Sequence, residues 1–197
     1  MNERSSRRSV VEQAILRAAL DAFATRGFHG ATMRQIAGLA EVTLANVYNY
    51  VDSKSDLLVT LLRRASDDQL AGTRAAIEAA GGSVTDRLRA AVGAYLRFDL
   101  ERQAESRIVH SEYRYLEAEA CLRVTQAQDQ HRRLFADLVA EGVAEGVFHT
   151  PYPDQASRAI LAMCVGVSAC CAGEGPPPAA ELERRYARYA LALLEAR

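Results

Sequence analysis

The chain has no tryptophan, only four cysteines, and a single lysine, Lys54, among its 24 basic residues. It contains no run of about eighteen apolar residues, the length a bilayer-spanning helix needs. Its longest uncharged run, Ala159 to Gly173, is short and rich in small side chains. The opening MNERSSRRSVVEQ puts no apolar run behind its arginines, so no secretory leader is expected and the reading is cytoplasmic. Cys121, Cys164, Cys170 and Cys171 do not stand at zinc-ligand spacing. They read as small buried residues of a reducing compartment, with the vicinal Cys170-Cys171 pair leaving room for thiol sensing. The Glu-x-x-His signature of a di-metal bundle is missing: Arg107 precedes His110 by three, and Gln128 precedes His131. No Ser-His-Asp or Cys-His pattern and no glycine-rich phosphate loop appears. A non-enzymatic protein without metal or cofactor is the expectation. Strand-period alternation persists nowhere, so the fold class is all-α.

What is present is ample core material, 49% hydrophobic, with 25% charged residues and a net charge of −1. Residues 1–55 carry seven basic and five acidic side chains, the remainder seventeen and twenty, a slight excess of positive charge at the front. Helical periodicity and caps predict about nine helices. Residues 1 to 8 read as an unstructured basic arm. Ser9-Val10-Val11-Glu12 is a capping box, and Ile15, Ala18, Ala19, Ala22 and Phe23 follow at helical spacing up to Gly27. Thr32-Met33-Arg34-Gln35 is a second capping box. Thr43 caps a short helix from Leu44 to Tyr50, and Ser53 opens a long one from Lys54 to Ala80, closed by Gly81-Gly82. Further helices are predicted from Ser83 to Arg102, Ser106 to Leu116, Ala118 to Glu145, Gln155 to Ala172 behind an Asp154 cap, and Ala179 to Ala196.

Two short helices joined by a tight turn between Thr32 and Tyr50 cannot hold a core between them. They read as a helix-turn-helix whose second helix faces outward. Its Thr43, Asn46, Tyr48, Asn49 and Tyr50 offer hydroxyls, amides and flat rings, and Lys54 follows. By chemistry Lys54, Tyr48, Tyr50 and Thr32 suit phosphates, and Asn46, Thr43 and Asn49 suit base edges. Leu44 or the Ala45 methyl suits a thymine methyl. The other reading of Tyr48 and Tyr50 is packing beneath the recognition helix.

These residues resemble the DNA-binding head of the TetR family of bacterial transcriptional regulators. The likeness is carried by Thr32, Ile36-Ala37, the turn Ala40 to Thr43, Tyr48 and Tyr50, Ser53-Lys54, and the upstream ILRAALDAFATRGFHGAT. It is dense over about the first sixty residues. Glu41 stands where the family usually has glycine, and Ala45 where glycine is common. Glu41 is therefore expected in a left-handed conformation. The resemblance implies a ligand-responsive regulator, a repressor released from a palindromic double-stranded operator, with a head at 1–53 and a ligand-binding and dimerisation body at 54–197. It implies DNA contacts at Thr43, Ala45, Tyr48, Asn49, Tyr50 and Lys54.

The Lys54–Ala80 helix is long enough to serve both parts and reads as the transmission element. A pocket in the body is expected from Tyr95, Phe98, Asp99, His110, Tyr113, Tyr115 and Phe135; a filled bundle core is the other reading of each. Ser111 to Leu116, Leu138 to Phe148 and the closing ELERRYARYALALL are similar to regulators of lipid or steroid breakdown, which implies an acyl-coenzyme A type effector with Arg114, Arg107 or Arg123 at its phosphates. Excess apolar surface on the last two helices, about 155–172 and 179–196, predicts a homodimer. The alternatives are a sequence-tolerant DNA-binding protein without effector and a helical-bundle carrier.

Overall fold

A computed structural model describes residues 3–111, 118–167 and 177–196; the side chains of 3–8, 110–111, 118–125 and 127 lie outside it. The described residues form nine helices and no strand: α1 (Glu3–Gly30), α2 (Met33–Leu39), α3 (Leu44–Tyr48), α4 (Lys54–Ala80), α5 (Val84–Glu101), α6 (Gln103–Ser111), α7 (Ala118–Ala144), α8 (Pro153–Val165) and α9 (Ala179–Leu193).

The predicted caps explain most of these starts. The Thr32 hydroxyl accepts from the Gln35 amide at 3.2 Å while the Thr32 amide donates to Gln35 Oε1 at 3.0 Å, a closed capping box. Thr43, Ser53 and Ser83 accept from the amides three residues on. Three starts differ from expectation. The first helix begins at Glu3, not at the Ser9 box, because residues 3–8 hold neither glycine nor proline to stop it. At α8, Pro153 takes the first helical position behind Tyr152, and Asp154 lies in the first turn instead of capping. α6 starts at Gln103, three residues early. α3 stops at Tyr48, two short of the prediction, and α9 stops at Leu193.

Two apolar cores result. The first gathers Ile15, Ala19, Phe23, Ile36, Val47, Leu57, Leu58 and Leu62 from α1 to α4, together with Ile108 and Val109 from α6. The second gathers Leu88, Val92, Tyr95, Leu96, Phe135, Val139, Ile160 and Ala190 from α5, α7, α8 and α9, together with Phe148 from the connection between α7 and α8. α4 serves both, as its length suggested. α6 is a second connection that the sequence did not advertise: Ile108 is fully buried among head residues, and the Arg107 guanidinium donates to the Ala24 carbonyl at 3.2 Å.

Two backbone positions carry the sharpest constraints. α7 closes at Gly146 (φ 69°), and the chain folds back so that the amides of Val147 and Phe148 both donate to the Gly142 carbonyl, at 2.9 and 3.0 Å. The Phe148 ring then occupies the space beside Gly142, where a Cβ would sit 2.1 Å from a ring carbon. In the helix-turn-helix, Glu41 adopts φ 56°, the left-handed conformation expected of a residue in a glycine's place. Glu41→Gly is expected to raise stability by roughly 1 kcal/mol, the left-handed penalty less glycine's extra entropy. Thermal denaturation checks this; an unchanged or lower melting temperature would show the turn to be unstrained.

Candidate DNA-binding face and ligand cavity

The helix-turn-helix is fastened from below by Ile36, Ala37 and Val47, all buried, with Val42, Leu44, Tyr50 and Val51 packed against the same core. This leaves Thr32, Arg34, Thr43, Ala45, Tyr48 and Asn49 exposed, with Asn46 half-buried. Tyr48 is 49% exposed at the outer end of α3, whereas Tyr50 turns onto the core, so the two tyrosines divide between the two readings. Asn49 donates to the Asn46 side-chain oxygen at 3.5 Å, which keeps the two amides together. The Thr32 and Thr43 hydroxyl oxygens accept cap bonds, and each keeps its proton for an outside acceptor. Arg34 carries no ion pair or hydrogen bond among the described residues, and sequence reasoning passed over it as part of a capping box.

Lys54 has an inward task. Its ammonium donates to the carbonyls of Phe28 at 2.6 Å and Ala31 at 2.8 Å and lies 4.5 Å from the Phe28 ring centroid. It thus clamps the first turn of α4 to the loop that launches α2. Lys54→Met is expected to cost on the order of 2 kcal/mol, since both carbonyls lose a charged donor. If the clamp is its whole task, the salt dependence of DNA binding stays the same; a slope reduced by about one for each lysine removed would mark a phosphate contact.

In the body, a cavity of about 960 Å³ opens between α4, α5, α7 and α8. Its buried wall is polar in several places. Ser66, Gln69, Tyr95, His131 and Ser157 are each 5% exposed or less and line it. Gln69 donates to Asp99 Oδ1 at 3.2 Å. The Tyr95 and His131 rings meet edge to face, 5.5 Å between centroids. Burial, the Asp99 carboxylate and then the Cys164 thiol push the Tyr95 hydroxyl far above the usual phenol range. Burial and Asp99 likewise push the Cys164 thiol up to about 12, which makes it an inert thiol at neutral pH. Exposed Arg132, Arg133 and Arg158 stand at the rim with Asp129 and Asp154. Arg132 is paired with Asp129, while Arg133 and Arg158 have no acidic partner among the described residues.

Of the residues expected at the pocket, Tyr95 lines it. Asp99 lies behind the wall, held by Gln69. Phe98 packs on the head core beneath the Arg102 guanidinium, which lies 4.8 Å from its ring centroid, and Phe135 is wholly buried in the body core. The His110 side chain and all of Tyr113, Arg114 and Tyr115 fall outside the described residues, as do Cys170, Cys171 and the Cys121 side chain. The sequence did hold one signal for the wall that was missed: Ser66, Gln69 and Thr73 interrupt the apolar stripe of Leu62, Ala65 and Leu70 on α4. Among the described residues there is no cluster of three or more potential metal ligands, and no helix is long and apolar enough to cross a membrane.

A helix-turn-helix head joined by a long helix to a cavity-bearing body is the architecture of a ligand-responsive transcriptional regulator. Residues 15–61 match the model of bacterial regulatory proteins of the tetR family, and residues 81–194 match the tetracyclin repressor-like C-terminal domain. The chain belongs to the TetR family of bacterial transcriptional regulators. It is 44% identical over 73 residues to the HTH-type transcriptional regulator RutR of Escherichia coli K12, covering 37% of this chain and 34% of that protein. The match thus spans about a third of the curated relative. A bacterial regulatory protein of the tetR family from Rhodococcus RHA1 superposes with a TM-score of 0.87 at 25% identity, over 95% of this chain and 98% of that one. AibR, crystallised with isovaleryl coenzyme A and operator DNA, shares the fold at a TM-score of 0.81 and 17% identity, over 95% of this chain and all of that one.

Proposed function

We propose that this regulator is a cytoplasmic homodimer that binds a palindromic operator and leaves it when an anionic amphiphile, of the acyl-coenzyme A kind, enters the body cavity. The observation that carries the effector reading is the rim of that cavity of about 960 Å³, where Arg133 and Arg158 stand exposed without acidic partners among the described residues. Guanidinium groups without partners suit phosphate or carboxylate. That AibR was crystallised with a coenzyme A thioester in a protein of the same fold agrees with it.

The head is residues 1–53 and the body 54–197. On the DNA, Asn46, Asn49 and Thr43 read bases, with Leu44 and the Ala45 methyl near thymine methyls. Tyr48 and Thr32 hold phosphates, and exposed Arg34 adds a cation beside Lys54. The dimer forms through α8 and α9, whose outer sides leave Ala159, Ala162, Tyr189 (53% exposed) and Leu193 (43% exposed) uncovered. Pairing fixes two heads at a spacing of about 34–36 Å or a multiple of it.

Val109 supports a route for release. It lines the cavity and is also buried in the head core, so a ligand that displaces it strains α6 against α1. A coupling of about 1–3 kcal/mol changes operator affinity roughly 5- to 150-fold. Palmitoyl-coenzyme A titrated into an operator complex is expected to weaken it within that range. Unchanged operator affinity with the ligand demonstrably bound would overturn the release mechanism, and Arg133→Ala with Arg158→Ala leaving ligand affinity intact would overturn the rim assignment.

A further inference from the structure

The rim of the cavity predicts the charged end of an effector; its depth predicts something about the other end. A cavity built for a saturated chain needs only apolar walls. This one places Ser66 and Gln69 on neighbouring turns of α4, 3% and 5% exposed, facing Tyr95 from α5 and His131 from α7. The Ser66 hydroxyl has no hydrogen-bond partner among the described residues, although 97% of the residue's surface is covered. Leucine or alanine at this position would continue the stripe of Leu62, Ala65 and Leu70.

The neighbouring groups are held in place. Gln69 is fixed by Asp99, and Thr73 one turn further on donates to the Gln69 carbonyl at 2.8 Å. Tyr95 is steadied by the rings of His131 and Phe135. An alkyl end pressed against this wall strips water from Ser66 and Tyr95 and gives no bond in return. A hydroxyl or carbonyl restores the bonds.

We propose that the effector bears a hydroxyl or carbonyl oxygen at the end of its apolar body remote from the charge, received by Ser66 and Tyr95. This rests on the anionic-amphiphile reading above and narrows it from acyl chains in general to oxygenated ones. An ω-hydroxylated chain and a hydroxylated sterol acid both have that chemistry.

The test compares matched pairs by calorimetry on the full chain: 16-hydroxypalmitoyl- against palmitoyl-coenzyme A, and the coenzyme A thioesters of lithocholate against 5β-cholanate. Each pair differs by one distal hydroxyl. At least one hydroxylated member is expected to bind roughly tenfold tighter than its parent or better, and the pair that shows it names the skeleton. Ser66→Ala and Tyr95→Phe, each checked for an unaltered circular dichroism spectrum, are expected to shrink that preference by weakening the hydroxylated member more than its parent. Parents binding as tightly as their hydroxylated partners would overturn the inference and leave the amphiphile reading standing. So would a preference that survives both substitutions. Failure of all four thioesters to bind would overturn both.

Discussion

Gly142→Ala is expected to lower the melting temperature by roughly 3–10 °C, the consequence of about 1–3 kcal/mol of overpacking in a chain of this size. The alanine methyl would arrive 2.1 Å from one Phe148 ring carbon and 2.3 Å from another. The ring has nowhere to withdraw, because Phe148 is 1% exposed and its own amide is bonded to the Gly142 carbonyl. Moving the ring therefore means undoing the turn at Gly146 that returns the chain from α7 toward α8. Gly72→Ala supplies the contrast. Gly72 lies on the exposed side of α4 with nothing within 4 Å of its added methyl, so alanine there is expected to stabilise by roughly 0.5–1 kcal/mol. Differential scanning calorimetry of the two variants checks both signs. A Gly142→Ala protein that melts with the parent would show that the ring and turn relax freely.

The second large effect belongs to the surface proposed to face DNA. Tyr48→Ala combined with Asn49→Ala is expected to weaken operator binding by at least about a hundredfold while leaving the melting temperature nearly unchanged. Both side chains are exposed and neither belongs to the head core, so their loss removes contacts without opening a cavity. Each good base contact is worth about 1–3 kcal/mol, and the proposed homodimer would lose every contact twice. Fluorescence anisotropy with operator and with scrambled duplex separates the outcomes. A fall confined to operator marks base reading; an equal fall on both marks phosphate contacts alone. Operator affinity within threefold of the parent, with normal folding, would remove α3 as the reading helix.

Most of the helical framework was legible because it is written locally. Ser53 and Ser83 cap from one residue, and a capping box is a four-residue sentence, so the starts of α2, α4 and α5 could be read directly. Glu41 was legible by another route, the family resemblance: it stands where the TetR family usually has glycine, and it takes the left-handed conformation that glycine favours. Contacts across distance were not legible. Lys54 looked like a surface cation because the carbonyls it holds lie 23 and 26 residues upstream. The aromatic residues expected to line the cavity, Phe98 and Phe135, are consumed by the two cores, while the wall is supplied in part by Ser66, Gln69 and His131 on α4 and α7, none of them expected there. Helical spacing shows which face is inward but not which inward positions leave a gap. α6 hid its role similarly, since nothing in Ile108-Val109 says that these two side chains cross to the head.

The clamp at the start of α4 has a practical corollary. Because Lys54 is the sequence's lone ε-amine, and it is engaged by two carbonyls, any reagent selective for such amines becomes a one-site gauge. The rate at which it modifies the protein counts how often the end of α1 and Ala31 let go, and following that rate with DNA or effector present reports the motion of the head without adding a probe.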